Sequence, residues 1–143
     1  MIRLILCSPE SFIGKMICWF TWSDISHVAI EVDGWIYEAD HSTGVIKTHW
    51  TEWSRPVAYS YSFKVANKTL IKQRLESQLG MAYDLFMIYG YPLRIDRQCE
   101  QRWTCSELVA WALAEYFPHK KFYRIAPVHL KFLGHALEIN CVD

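Results

Sequence analysis

Charge of one sign is missing from this chain: 15 Lys and Arg balance 15 Asp and Glu over 143 residues. Nothing electrostatic therefore points to nucleic acid. No apolar run approaches the roughly 18 residues needed to span a bilayer, so no transmembrane segment is expected. The start, Met1-Ile2-Arg3-Leu4-Ile5-Leu6-Cys7, is too short for a secretion signal and meets Ser8-Pro9-Glu10 at once. Cys7, Cys18, Cys99, Cys105 and Cys141 are odd in number and form no C-x-x-C pair. His49, His119, His129 and His135 lack H-x-x-x-H spacing, so neither metal nor cofactor is expected. Free thiols in a reducing cytoplasm are the expectation. Without repeats, low-complexity tracts or linkers, residues 1–143 read as a single domain.

Core-forming material is ample: 52% of residues are hydrophobic and only 21% charged. Aromatics reach 15%, enough for a ring-lined groove or, more plainly, a Trp-rich core. Trp50, Trp53 and Trp103 are groove candidates, with packing as the default. Cys105 is the most informative position. In Trp103-Thr104-Cys105-Ser106-Glu107-Leu108-Val109, Thr104 and Glu107 have the S/T-x-x-E spacing of a capping box. Thr104 then caps a helix and Cys105 is its first residue. The positive helix end and its unpaired N–H groups favour thiolate, the nucleophilic form.

The matching base is His27. Ser26-His27-Val28-Ala29-Ile30-Glu31-Val32 and Trp35-Ile36-Tyr37-Glu38-Ala39-Asp40 flank Asp33-Gly34, a strong hairpin signal. A two-residue turn sets Val32 opposite Trp35 and His27 opposite Asp40. His27 and Glu38 become diagonal neighbours on one face, while Val28, Ile30, Val32, Tyr37 and Ala39 turn toward a core. The Cys105 helix is expected against the His27–Glu38 face. Asp40 or His41 could orient the imidazole instead of Glu38. Tyr83 is a candidate oxyanion or substrate group, against the plainer reading of a core tyrosine. Glu107 is read as the capping acid alone, and Cys7, Cys18 and Cys141 as inert.

Along the chain, residues 1–7 read as a strand and Ser8-Pro9 as the N-cap and first residue of an amphipathic helix through Phe20. His41 to Gly44 turn into a strand at Val45–Thr48. His49 to Arg55 is an irregular or short helical connection, and Val57–Val65 an alternating strand. Asn67 caps a helix through Leu79, with Gly80 as its C′ residue. Tyr83–Tyr91 reads as helical, Leu93–Arg102 as a loop, and the Cys105 helix runs to Phe117 before Pro118. Pro127–Leu133 reads as a short helix and Leu137–Val142 as a last strand. The class is α+β, a mostly antiparallel sheet flanked by helices.

In the order histidine on a strand, polar residue on the next strand, then cysteine on a helix, the chain resembles the circularly permuted papain-like cysteine hydrolases. These include NlpC-type peptidases, the YiiX-like group and the lecithin–retinol acyltransferase-like group. Cys105-Ser106-Glu107-Leu108-Val109 is the most specific part, supported by Gly80-Met81-Ala82-Tyr83-Asp84. The resemblance implies a permuted papain-like fold with Cys105 as nucleophile, His27 as base and Glu38 as the third member. It implies a peptide or peptidoglycan stem-peptide amide as substrate. A lipid-like acyl substrate, or an inactive binding or virion-associated domain, is the alternative. Small proteins of this type are common in bacteriophages and prophages, which bears on origin; oligomeric state is not implied.

Overall fold

The computed structural model describes residues 1–85, 102–117 and 121–139. Strands β1 (Ile2–Cys7), β2 (His27–Val32), β3 (Trp35–Asp40), β4 (Gly44–His49) and β5 (Val57–Phe63) form one sheet, with every neighbouring pair antiparallel. Their order is β4-β3-β2-β1-β5. Helices α1 (Phe12–Thr21), α2 (Lys68–Ser77), α3 (Cys105–Ala112) and α4 (Pro127–Ile139) complete an α+β architecture. The dipeptide strands β6 (Ala82–Tyr83) and β7 (Arg102–Trp103) pair in parallel. Asp33 (φ 52°) and Gly34 (φ 81°) make the left-handed two-residue turn, and Val32 faces Trp35 as expected.

One face of the sheet carries the main core. Leu4, Leu6, Val28, Ile30, Tyr37 and Phe63 are fully or almost fully buried there. Helix α2 adds Ile71 and Leu75, α3 adds Leu108 and Val109, and α4 adds Leu130. Among the described residues, the other face carries a smaller apolar cluster of Ile5, Cys7, Ala29 and Ile36, packed against Trp53. The expectation for α3 is corrected here. It packs on the Val28–Ile30 face, not on the face shared by His27 and Glu38. Seven of its eight residues are buried, so it requires the apolar side.

Several boundaries also differ. The N-cap of α1 is Ser11, whose Oγ accepts the Gly14 N–H at 3.1 Å. Ser8 is instead fixed to the Pro56 carbonyl at 3.0 Å. Asn67 does cap α2, but the helix stops at Ser77. Gly80 is not its C′ residue: its N–H reaches the Val45 carbonyl at 2.9 Å. Helix α3 ends at Ala112, followed by a 3-10 turn over Ala114–Tyr116; Pro118 lies outside the described residues. Tyr83 is in a strand rather than a helix, and Arg102 is in a strand rather than a loop. The rest of those two segments, residues 86–101, lies outside the described residues. Helix α4 runs through Leu137, where a strand was expected, because Leu130, Leu133 and Leu137 share one helical face against the core. Residues 140–142 lie outside the described residues.

Gly134 is where α4 touches the sheet. A Cβ there would lie 2.5 Å from the Tyr61 ring and 3.1 Å from Leu4. Gly134→Ala is therefore expected to destabilise the protein by about 1–3 kcal/mol through overpacking, despite the better helix propensity of Ala. Urea unfolding checks this; an unchanged midpoint would show that α4 can lift off the sheet freely.

Candidate active site

Thr104 and Glu107 form the capping box in full. The Thr104 side chain accepts the Glu107 N–H at 3.3 Å, and the Glu107 carboxylate accepts the Thr104 N–H at 3.1 Å. This fixes the start of α3 and places the Cys105 thiol at its first position. Cys105 is 3% exposed. Its sulfur meets the His27 side chain and the N–H groups of Val28 and Ser106. His27 is the first residue of β2, and from that strand end its side chain meets the Cys105 thiol.

His27 Nε2 lies 2.6 Å from Glu38 Oε2. With Nε2 engaged, Nδ1 is the ring nitrogen left for the thiol. Burial alone would pull the imidazole down. The Cys105 charge and bond and the Glu38 carboxylate outweigh it and raise His27 to about 9. Burial alone would push the Cys105 thiol up. The His27 charge and bond and the Val28 and Ser106 N–H groups outweigh it and set Cys105 below its ordinary value. The two groups therefore favour a thiolate–imidazolium pair.

Of the three carboxylate and imidazole candidates beside His27, Glu38 makes the contact. Asp40 accepts the Ser42 N–H at 2.8 Å and the Arg55 guanidinium at 2.5 Å. His41 lies 3.8 Å from Asp40. Burial would raise Glu38, but His27, Arg55 and Trp53 together hold it below the usual carboxylate range. Trp53 Nε1 donates to Glu38 Oε1 at 2.9 Å, and Arg55 Nε lies 2.8 Å from Oε2. Both come from the irregular connection before β5. Neither role was legible in the sequence, where only an arginine in a Trp-rich connection hinted at anything.

Tyr83 closes the arrangement. Its hydroxyl meets both the Cys105 sulfur and the Cys105 backbone N–H. Burial first, and the Cys105 charge second, raise this phenol well above its ordinary value, so it stays a donor. Backbone pairing delivers it: Val45 N–H reaches the Met81 carbonyl at 2.8 Å. Gly44 (φ 76°) permits that approach, since a Cβ there would sit 2.3 Å from the Met81 oxygen.

A cleft of about 300 Å³ opens beside His27, Asp40, Arg55 and Tyr83, with α1 as its far wall. A smaller, mostly apolar cavity of about 30 Å³ adjoins Cys105 between Ile17, Phe20, Tyr83 and Pro127. Trp50, Trp53 and Trp103 line neither: Trp50 is exposed, Trp53 caps Glu38, and Trp103 packs on Trp111. His49 bonds Thr51, His129 accepts the Ala126 N–H, and His135 packs on Tyr61. Cys7 borders the cleft, but burial pushes its thiol up to about 12. Burial also raises Cys18. Cys99, Cys141 and His119 lie outside the described residues. Among the described residues, no helix is long and apolar enough to cross a membrane. No protein-family model matches this chain, and no curated protein matches it.

Proposed function

We propose that this protein is a cysteine hydrolase of the permuted papain-like kind, cleaving an amide in a peptide or peptidoglycan stem peptide. The observation that carries the reading is the chain of contacts from Cys105 to His27 to Glu38, with the thiol at a capped helix start. The Cys105 thiolate attacks the substrate carbonyl carbon. The carbonyl oxygen becomes an oxyanion, held by the Cys105 N–H and by the Tyr83 hydroxyl now in contact with it. Collapse breaks the C–N bond, and the leaving amine takes the His27 proton. Water then gives a proton to His27 and attacks the thioester; collapse breaks the C–S bond and releases the acid, returning the Cys105 thiolate beside protonated His27. Glu38 fixes the ring and stabilises its charge throughout. No cofactor enters the scheme.

A second reading, hydrolysis or transfer of a lipid-like acyl group by the same chemistry, is favoured by the apolar wall of Ile17, Phe20 and Pro127 beside the thiol. The free thiols of Cys7, Cys18 and Cys105 suit a reducing compartment, such as the cytoplasm of a cell or of a phage host. Amide and ester panels assayed with wild type, Cys105→Ala and Tyr83→Phe test the proposal. Cys105→Ala should abolish turnover. Tyr83→Phe should lower kcat by about 10- to 100-fold, as expected for one lost oxyanion donor. Turnover that survives Cys105→Ala overturns the scheme. An inactive binding domain would instead show no preferential reactivity at Cys105.

A further inference from the structure

We propose that Glu10 and Ser26 form an ammonium subsite in the cleft, so that the peptide taken by this site carries a positively charged amine near the bond attacked. The proposal rests on the reading of Cys105 as the nucleophile that the cleft serves. Glu10 lies between β1 and α1 and lines the cleft. Its side chain is 52% exposed and makes no hydrogen bond among the described residues. Its one charged partner among them is Arg55, whose Nη1 lies 3.9 Å from Glu10 Oε2, beyond hydrogen-bond reach. That guanidinium is already committed: Nε lies 2.8 Å from Glu38 Oε2, and Nη2 lies 2.5 Å from Asp40 Oδ2.

Charge balance decides the sign of the ligand. Among the described lining residues Arg55 is the only Lys or Arg, and it faces three carboxylates, Glu10, Asp40 and Glu38. The His27 imidazolium is matched by the Cys105 thiolate, so that pair adds no charge. His41 stands 3.8 Å from Asp40, and even a protonated His41 would leave the balance negative. A substrate carboxylate would meet Arg55 with its partners in place and Glu10 opposing it. An ammonium meets a carboxylate that bonds nothing else. Ser26 is an independent mark of the same subsite. It is 6% exposed, yet its hydroxyl makes no hydrogen bond among the described residues and lines the cleft. A buried hydroxyl facing a cleft takes its partner from the cleft side. Gly14 of α1 leaves room for it, since a Cβ there would lie 3.0 Å from Ser26 Oγ. Ser26 directly precedes His27, which lines the same cleft and meets Cys105. An ammonium carries three donors, enough to serve both the Glu10 carboxylate and the Ser26 oxygen.

The test alkylates the full chain with four probes that share one reactive group. They are iodoacetamides bearing a short (ethyl) or a long (pentyl) chain that ends in a free amine or in the acetylated amine. With each, the thiolate forms a C–S bond and iodide leaves. Labelling of Cys105 at pH 6 and low salt is read by mass spectrometry, and the rate with each amine probe is divided by the rate with its acetylated counterpart. In wild type at least one ratio should exceed that of the neutral thiol N-acetylcysteine amide by about threefold or more, and should shrink with added salt. A response of the short pair assigns the ammonium to a peptide amino terminus, and of the long pair to a lysine-like side chain. Glu10→Gln should bring the ratio down to the reference, and Ser26→Ala should lower it part of the way. Glu115→Gln, which removes an exposed acid outside the cleft lining, should keep the wild-type ratio. A wild-type ratio at the reference overturns the proposal, as does an elevated ratio that Glu10→Gln retains. A Cys105 that none of the four probes labels overturns both this proposal and the hydrolase reading. Because the two probes of a pair share their reactive group, the ratio depends on neither the thiolate fraction nor turnover. Failure of the hydrolase reading alone would show in the Cys105→Ala assays and leave the ratio as measured.

Discussion

Iodoacetamide is expected to label Cys105 rapidly at pH 6, ahead of Cys7 and Cys18, and His27→Ala is expected to remove that advantage. At pH 6 a thiol of ordinary pKa, about 8.5, is roughly 0.3% thiolate. In the folded protein His27 lowers Cys105, so a larger share is ionised, while the imidazolium itself persists to about 9. A lower pKa also weakens the thiolate as a nucleophile, so the gain at pH 6 should be about tenfold or more rather than the full ratio of ionised fractions. The sign follows from the pair. Protonation of the thiolate ends it on the acid side, and deprotonation of His27 ends it near pH 9 on the alkaline side. In His27→Ala the burial penalty on Cys105 is no longer opposed by a cation, so its labelling should shift to alkaline pH. Cys7, raised to about 12 by burial in the same cleft wall, is the internal control. Mass spectrometry resolved by cysteine reads all of this in one experiment. Hydrolysis, where a substrate is found, should fall by about 10³-fold or more in His27→Ala. Equal labelling of Cys105 at pH 6 in both proteins would sink the ion pair.

Glu38→Ala is expected to give a large loss of stability, about 2–4 kcal/mol, because it leaves the part-buried His27 and Trp53 N–H donors without their acceptor. Glu38 is 3% exposed and accepts from His27, Trp53 and Arg55 together. Its removal leaves the Arg55 guanidinium with Asp40 and the more distant Glu10, and leaves the Trp53 N–H without its acceptor. Glu38→Gln keeps the shape and one acceptor oxygen, so it should cost less while still lowering turnover. The pH dependence separates charge from packing. Glu38 is depressed in the folded protein, so its contribution is full above its ordinary value of 4.5 and fades as pH falls through the folded value. Wild type should therefore lose stability on acidification below about pH 4.5, and Glu38→Gln should lose less over that interval. Urea midpoints measured at stepped pH test this. Parallel curves for the two proteins would show that Glu38 acts as a packed group rather than as a charge.

What was legible in the sequence was local. Asp33-Gly34 between two apolar runs set the hairpin register, and with it the shared face of His27 and Glu38, because side chains alternate strictly along a strand. Thr104 and Glu107, three residues apart, set the start of α3 and so the position of Cys105. Each depends on residues close in sequence, where spacing and geometry correspond.

Packing decided the rest. A period of two says which residues share a face, not which face a later helix will bury; Val28 and Ile30 hold α3 on their side. Tyr83 reached the thiol through Met81 pairing with Val45 and through Ala82 and Tyr83 pairing with Arg102 and Trp103. Two-residue strands carry no periodicity to read. Arg55 and Trp53 sit in an irregular connection, where no repeating geometry ties a residue's number to the direction of its side chain. The sequence by itself determined the hairpin, the capped helix and the residue types able to form a thiolate–imidazolium pair. Only the tertiary structure decided that His27 and Tyr83 both meet Cys105 and that Arg55 pairs with Glu38, because those contacts join segments distant along the chain.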